Sequence, residues 1–280
     1  MKLRGLLATL VAISSLWLSA TPARAAAGSI TIKGSDTMVI LGQRWAEDYM
    51  KKNPNTVIQV TGGGSGTGIS ALINGTTDIC ASSRAMKPAE KEKLRDRYNN
   101  TGVEIPVARD GLAVYVNASS ALTEISMPDL KGIFTGKITN WKQIGGPDNN
   151  IIVYSRENSS GTYVFFKEQV LAGADFTPRA QTMPGTAAVV NAVSKEKFGI
   201  GYGGAAYAKG IKILKVKKDA TSTAINPEKK TVLDGTYPLA RPLFFYLRNK
   251  PAGDIKSFVD WVLSPDGQGI VEKVGYYQVK

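Results

Sequence analysis

Short runs of strand period alternate along this chain with longer segments of helical period, joined by loops rich in Gly, Ser and Thr. Ser29-Ile30-Thr31-Ile32-Lys33 reads as a strand and Gly34-Ser35-Asp36-Thr37 as a turn. Met38 to Lys52 then reads as a helix with Leu41, Trp45 and Tyr49 on one face, stopped by Asn53-Pro54-Asn55. Val57–Val60 and Asp78–Ala81 are further strands, separated by the glycine-rich turn Gly62–Gly68 and a helix opening at Ile69. A charged helix follows from Pro88 to Tyr98. The next block repeats the pattern, with strands over Gly111–Asn117, Ile151–Tyr154 and Phe198–Tyr202 and helices over Pro128–Phe134, Ser160–Leu171 and Thr186–Ser194. Lys209–Thr236 is polar with short Val/Ile strands, Pro242–Arg248 is an apolar strand, and Asp254–Leu263 and Gly267–Val274 are terminal helices. Strand, loop and helix in succession predict an α/β fold on mainly parallel sheets with covered faces.

The first residues follow a different logic. Lys2 and Arg4 precede an apolar stretch from Leu6 to Leu18, then small residues and the A-x-A signal Ala23-Arg24-Ala25. This is the three-part layout of a secretory signal peptide, residues 1–25, with cleavage after Ala25 or Ala27. The apolar stretch is short for a membrane span, and no Cys lies near the cleavage site to carry a lipid. The mature chain, roughly 255 residues, is long enough for two ordinary domains. Its single cysteine, Cys80, closes an apolar strand and is expected as an inert core thiol, so packing rather than a disulfide must hold the secreted protein together.

The chain has no histidine, which removes Ser-His-Asp and Cys-His catalysis and most zinc sites. Net charge is +12, and +9 once Lys2, Arg4 and Arg24 leave with the signal peptide. A basic protein can attract nucleic acid, anionic lipid or small anions. No aromatic–basic nucleic-acid module is present, and the secretory address also argues against a nucleic-acid partner.

Three loops share one character: Ser35-Asp36-Thr37-Met38, Gly64-Ser65-Gly66-Thr67, and Arg156-Glu157-Asn158-Ser159-Ser160-Gly161-Thr162 each precede a helix. Helix N-termini expose unpaired N–H groups and a partial positive charge. Glycine lets backbone approach an anion, and hydroxyls add adjustable donors. An oxyanion can be wrapped by such groups without histidine or metal. Taken singly, each loop also reads as an ordinary Ser/Thr N-cap. Arg84 and Arg156 supply two positive charges, a match for a phosphate dianion, although one arginine can instead pair with a local carboxylate such as Glu157. Gly199–Gly204 satisfies G-x-G-x-x-G but lacks a helix start and a ribose-binding acid, so it reads as a chance match. Gly62–Gly68 lacks the lysine of a P-loop. Phe244, Phe245, Tyr246, Tyr276 and Tyr277 are expected as packing aromatics.

These loops, in this order, resemble the periplasmic phosphate-binding proteins of high-affinity ABC phosphate transporters, a family of solute-binding proteins. The resemblance rests on Gly34 to Met38, Gly63 to Gly66, Asp78 to Arg84, and above all Arg156 to Thr162, an Arg-x-x-x-Ser-Gly-Thr run. It implies a two-domain, hinged periplasmic binding protein (type II-like), each domain a mainly parallel sheet flanked by helices. The first domain would hold residues 26–109 and 241–280 and the second 110–240, with crossings near Val107–Leu112 and Leu239–Leu243. It implies no enzyme activity, no cofactor and no metal, inorganic phosphate as ligand, a membrane permease as partner, a monomer, and a periplasmic location. Carried over by motif, Thr37 and the N–H of Met38 would bind phosphate, with Ser35 as a further candidate. Ser65 would donate from the second loop, and Arg156, Ser160, Gly161 and Thr162 would form the opposing clamp.

Two departures stand out. The best-known members of the family place an Asp after Ala-Ser at the third strand's end to accept the proton of monohydrogen phosphate. Here Ser83 stands there, followed by Arg84, a style that resembles another branch with an arginine beside the ligand. The Asp usually paired with the clamp arginine is Asn158. A buried acceptor that rewards the phosphate proton and repels sulfate would then be Asp110 or Asp36. A binding protein for sulfate or molybdate, or a secreted hydrolase with Ser65 as nucleophile, are the alternative readings.

Overall fold

The computed structural model describes residues 28–279, so the expected signal peptide lies outside the described residues. The first half runs β1 (Gly28–Gly34), α1 (Val39–Lys52), β2 (Thr56–Thr61), α2 (Ser65–Asn74), β3 (Ile79–Ser82) and α3 (Pro88–Tyr98). A long strand, β4 (Val103–Asn117), leads into β5 (Glu124–Ser126), α4 (Met127–Phe134), β6 (Ile152–Arg156), α5 (Gly161–Gln169), β7 (Gln181–Met183), α6 (Thr186–Lys195), β8 (Gly199–Gly204), β9 (Ile211–Lys217) and α7 (Lys229–Leu233). The chain returns along β10 (Ala240–Leu247) and ends with α8 (Gly253–Leu263) and α9 (Pro265–Val274). No helix among the described residues is long and apolar enough to cross a membrane.

The fold is α/β, with strands running continuously in the order β2-β1-β3-β10-β4-β8-β6-β7. Parallel pairing holds within each half, β2 with β1 with β3 and β8 with β6 with β7. The sheet is nevertheless mixed. β10 is antiparallel to β3 and β4, and β4 is antiparallel to β8 and β9. One strand leaves the first half and the other returns to it, so the two must run in opposite directions. The expected strand at Gly111–Asn117 begins eight residues earlier, at Val103. Pro106 lies inside it and has no N–H for the ladder. The register shifts between Leu243 and Phe244, which skips Val107 and accommodates the proline as a bulge.

Two main cores flank this pair. One joins Ile30, Leu41, Trp45, Tyr49, Val107, Ala108, Leu243, Phe245 and Phe258. The other joins Leu112, Val114, Phe134, Phe166, Ile200, Tyr202 and Leu239. Core membership therefore changes between Ala108 and Leu112 on β4 and between Leu239 and Leu243 on β10. Gly199–Gly204 is a fully buried strand rather than a phosphate loop. Cys80 is buried, and that burial pushes its thiol pKa up.

Candidate functional site

The helices that carry the three loops are anchored by these cores. Leu41, Trp45 and Tyr49 bury one face of α1, and Trp45 Nε1 donates to Gly267 O (2.8 Å), tying α1 to α9. Ile69 and Leu72 seat α2 on Cys80, Leu94 and Phe244. Phe166 stacks on Tyr202 with centroids 4.0 Å apart, which fixes α5. The N-terminal ends of α2 and α5, together with the 3-10 turn Asp36–Met38 ahead of α1, are thereby held rigidly.

They meet closely. Thr37 Oγ1 lies 2.9 Å from Thr162 Oγ1, and Ser65 Oγ lies 3.3 Å from Ser83 Oγ while accepting from Ser83 N (3.0 Å). Gly66 N donates to Ser159 O (2.8 Å), joining the second loop to the third. Two glycines make this approach possible. Gly64 has φ +92°, and a Cβ on it would sit 2.5 Å from Ser159 O. A Cβ on Gly161 would sit 2.3 Å from Ser65 Oγ and 2.7 Å from Ser83 Oγ. Thr37, Ser65, Ser83, Gly161 and Thr162 thus converge from both halves of the chain, and all four hydroxyl residues are almost wholly buried.

Other expected residues are placed differently. Ser160 Oγ accepts from Tyr163 N and serves as the N-cap of α5. Met38 N donates to Ser35 O (3.0 Å), and the Met38 side chain belongs to the first core. Ser35 Oγ is buried without a hydrogen-bond partner among the described residues. The free cation expected of Arg84 needs correction. Its Nη1 and Nη2 grip Glu90 in a fork (2.8 and 2.7 Å), because Glu90 sits in the first turn of α3 beside it.

Arg156 is almost fully buried and does pair with Glu157, through Nε (3.1 Å) and Nη2 (2.7 Å). It also reaches across to Asp36 Oδ2 (2.8 Å) and donates to Thr186 Oγ1 (3.0 Å). Burial works to lower its pKa, but Glu157 and Asp36 outweigh that and raise it. Arg156 thus carries two carboxylate partners, Glu157 beside it in the chain and Asp36 from the first loop. The other oxygen of Asp36 accepts from Gly63 N (2.8 Å), so the expectation of Asp36 as a free proton acceptor is corrected: both oxygens are engaged. Tyr207 OH donates to Asp36 O (2.7 Å) and Tyr276 OH to Thr37 O (2.6 Å), which closes the same seam.

Arg241 is the residue that sequence reasoning missed. It lies opposite Asp110 in the β10–β4 ladder, and its Nε and Nη2 both donate to Asp110 Oδ2 (2.9 and 2.8 Å). Nη1 reaches Ser83 O (3.2 Å) and Nη2 reaches Thr162 Oγ1 (3.1 Å). A signal was present: a lone arginine in the apolar run Leu239–Leu243 needs a buried partner, and Asp110 is the lone acid of the other crossing. Burial pushes the Asp110 carboxyl pKa up, against the opposing pull of Arg241. Asp110 Oδ1 is buried against the Gly204–Ala205 backbone at the end of β8, and the Ala205 N–H also favours the charged carboxylate.

The charge balance of the cluster is instructive. Arg156 and Arg241 are matched by Asp36, Glu157 and Asp110, so the side chains carry no net positive charge. An anion here would be stabilised by oriented N–H and O–H dipoles and by redistribution of these ion pairs. Among the described residues no group of three His, Cys, Asp or Glu side chains is arranged to hold a metal ion.

Comparison with known proteins agrees with this layout. Residues 19–266 match the family model of the PBP superfamily domain. The phosphate-binding protein PstS of Pseudomonas aeruginosa is 33% identical over 266 residues, covering 89% of this chain and 82% of the relative. The phosphate-binding protein PstS of Staphylococcus aureus is 36% identical over 245 residues, covering 84% and 72%. A Clostridium perfringens crystal structure, described as a phosphate ABC transporter substrate-binding protein with bound phosphate, superimposes with a TM-score of 0.82 at 30% identity, covering 90% of this chain and 100% of that one. This chain belongs to the PBP superfamily and, within it, to the phosphate-binding protein PstS family.

Proposed function

We propose that the chain binds inorganic phosphate in the cleft between two hinged domains, residues 26–109 with 241–280 and residues 110–240, and delivers it to the permease of an ABC-type phosphate importer. The protein is a periplasmic binding protein released by signal-peptide cleavage and performs no catalysis. The observation that carries this is the convergence of the Thr37, Ser65 and Thr162 hydroxyls, at the starts of three helix-forming segments from opposite halves, with the Ser83 hydroxyl just past the end of β3. Such a cluster offers a tetrahedral anion donors on every side, and it forms only when the halves meet. The anion binds by favouring the closed arrangement.

Selectivity follows from proton count. Sulfate carries no proton at neutral pH, whereas phosphate keeps one, so a buried acceptor rewards phosphate and repels sulfate. With Asp36 occupied on both oxygens, we assign that role to Asp110, the carboxylate joined to the hydroxyl cluster through Arg241. Anion-stripped protein titrated calorimetrically should bind phosphate far more tightly than sulfate or molybdate, and the ratio should shrink in Asp110→Asn. Equal affinity of the unaltered protein for phosphate and sulfate refutes the reading, as does turnover of a phosphomonoester.

A further inference from the structure

We propose that Arg241 is a direct ligand of the anion, mounted on a connecting strand, and that Asp110, the acceptor proposed above, also holds this guanidinium in place, so that anion occupancy acts on the hinge itself. This rests on the phosphate reading above and assigns a second arginine to the site in place of Arg84.

The argument begins with donor accounting. A guanidinium has five N–H donors. In Arg241 two face Asp110 Oδ2, one faces Ser83 O and one faces Thr162 Oγ1. The remaining Nη1 donor has no acceptor among the described residues, and the one on Thr162 faces a hydroxyl that can rotate. Thr162 Oγ1 is also the partner of Thr37 Oγ1, so Thr37, Thr162 and Arg241 form one chain from the first half through the second to the connecting strand. An oxyanion among the Thr37, Ser65 and Thr162 hydroxyls lies within reach of both Nη groups, and a charged oxygen is a stronger acceptor than a threonine hydroxyl.

The residue's setting supports a ligand role over simple structural pairing. Arg241 is 3% exposed, and a buried ion pair contributes little to stability compared with apolar side chains of similar size. On its outer side Arg241 borders a cavity of about 380 Å³ whose walls include Ser83, Phe165 and Phe244 from both halves. The Phe165 ring lies 5.2 Å from Arg241 Cζ and steadies the guanidinium between that cavity and the hydroxyl cluster. Because Asp110 and Arg241 sit opposite each other on the two strands that join the halves, a pull on the guanidinium is felt by both.

The test uses the mature protein with inorganic phosphate as the probe. Arg241→Gln is expected to weaken phosphate binding by roughly 30-fold or more, the loss of charge-assisted bonds. At saturating phosphate it is also expected to lack the contraction that small-angle scattering should register for the unaltered protein. Its affinity should rise less steeply with pH, because one cation that favours the dianion over the monoanion is gone. The double variant Asp110→Asn/Arg241→Gln keeps an amide pair in the ladder and guards against misfolding caused by an orphaned carboxylate. It should melt cooperatively and lose at least as much affinity as Arg241→Gln. Phosphate affinity within threefold of the unaltered protein in either variant, with Arg156→Gln binding weakly in parallel, overturns this inference while sparing the phosphate reading. If the unaltered protein binds no phosphate, the phosphate reading itself fails and takes the inference with it.

Discussion

Replacing Gly161 with alanine should leave the fold intact and cripple anion binding. The added methyl would stand 2.3 Å from Ser65 Oγ, 2.7 Å from Ser83 Oγ and 2.8 Å from Ser65 Cβ. A new rotamer for Ser65 cannot relieve this, because its Cβ is itself too close and its Oγ is held by Ser83 N. Ordinary contact begins at 3.4 Å, so the start of α5 must retreat from α2 by about 1 Å. That retreat strains the Gly66–Ser159 and Thr37–Thr162 hydrogen bonds, both of which cross between the halves. Each contributes about 0.5–1.5 kcal/mol, and overpacking a tight contact costs about 1–3 kcal/mol. Together these penalise the closed arrangement by about 2–6 kcal/mol, or roughly 30-fold at the least in affinity. Hinge opening removes the clash, so the melting temperature without phosphate should barely move, while the rise in melting temperature on adding phosphate should largely vanish. Calorimetric titration and thermal melts with and without phosphate measure both quantities. A Gly161→Ala protein that binds phosphate within threefold of the unaltered chain would refute the idea that this contact belongs to the binding-competent state.

Arg84→Gln should behave in the opposite way, because the Arg84 guanidinium is committed to Glu90. Stability should fall by about 1–3 kcal/mol, the cost of leaving a mostly buried carboxylate poorly paired, with phosphate affinity within threefold. A tenfold loss of affinity at unchanged stability would return Arg84 to the anion site. Tyr207 offers a test at alkaline pH. Burial pushes its pKa up from 10.0 to about 12, and its hydroxyl donates to Asp36 O. A raised folded-state value means its contribution to stability is complete below pH 10 and is lost as pH rises through about 12. The melting-temperature difference between the unaltered protein and Tyr207→Phe should therefore hold at pH 9 and disappear across that window, and a difference that disappears below pH 10 would contradict the burial argument.

Much of this protein was already written in residue order. The strand–loop–helix succession determined the α/β class, since local periodicity and turn chemistry act over a few residues. The Gly34–Met38, Gly63–Gly66 and Arg156–Thr162 runs marked the segments that converge, because a helix start announces itself in Ser, Thr and Gly. The Glu157 partner of Arg156 was legible for the same reason, being its immediate neighbour. Partnerships between distant segments were decided only by tertiary structure. Arg84 turned to Glu90, and Asp36 was taken up by Arg156, 120 residues away, and by Gly63. Arg241 came to the cluster because two strands distant in sequence run antiparallel and place it opposite Asp110. The mixed character of the sheet has the same origin. Whether a buried charge binds an anion or is spent on a neighbour depends on which opposite charge the fold brings within about 3 Å, and Coulomb attraction acts on distance in space rather than along the chain.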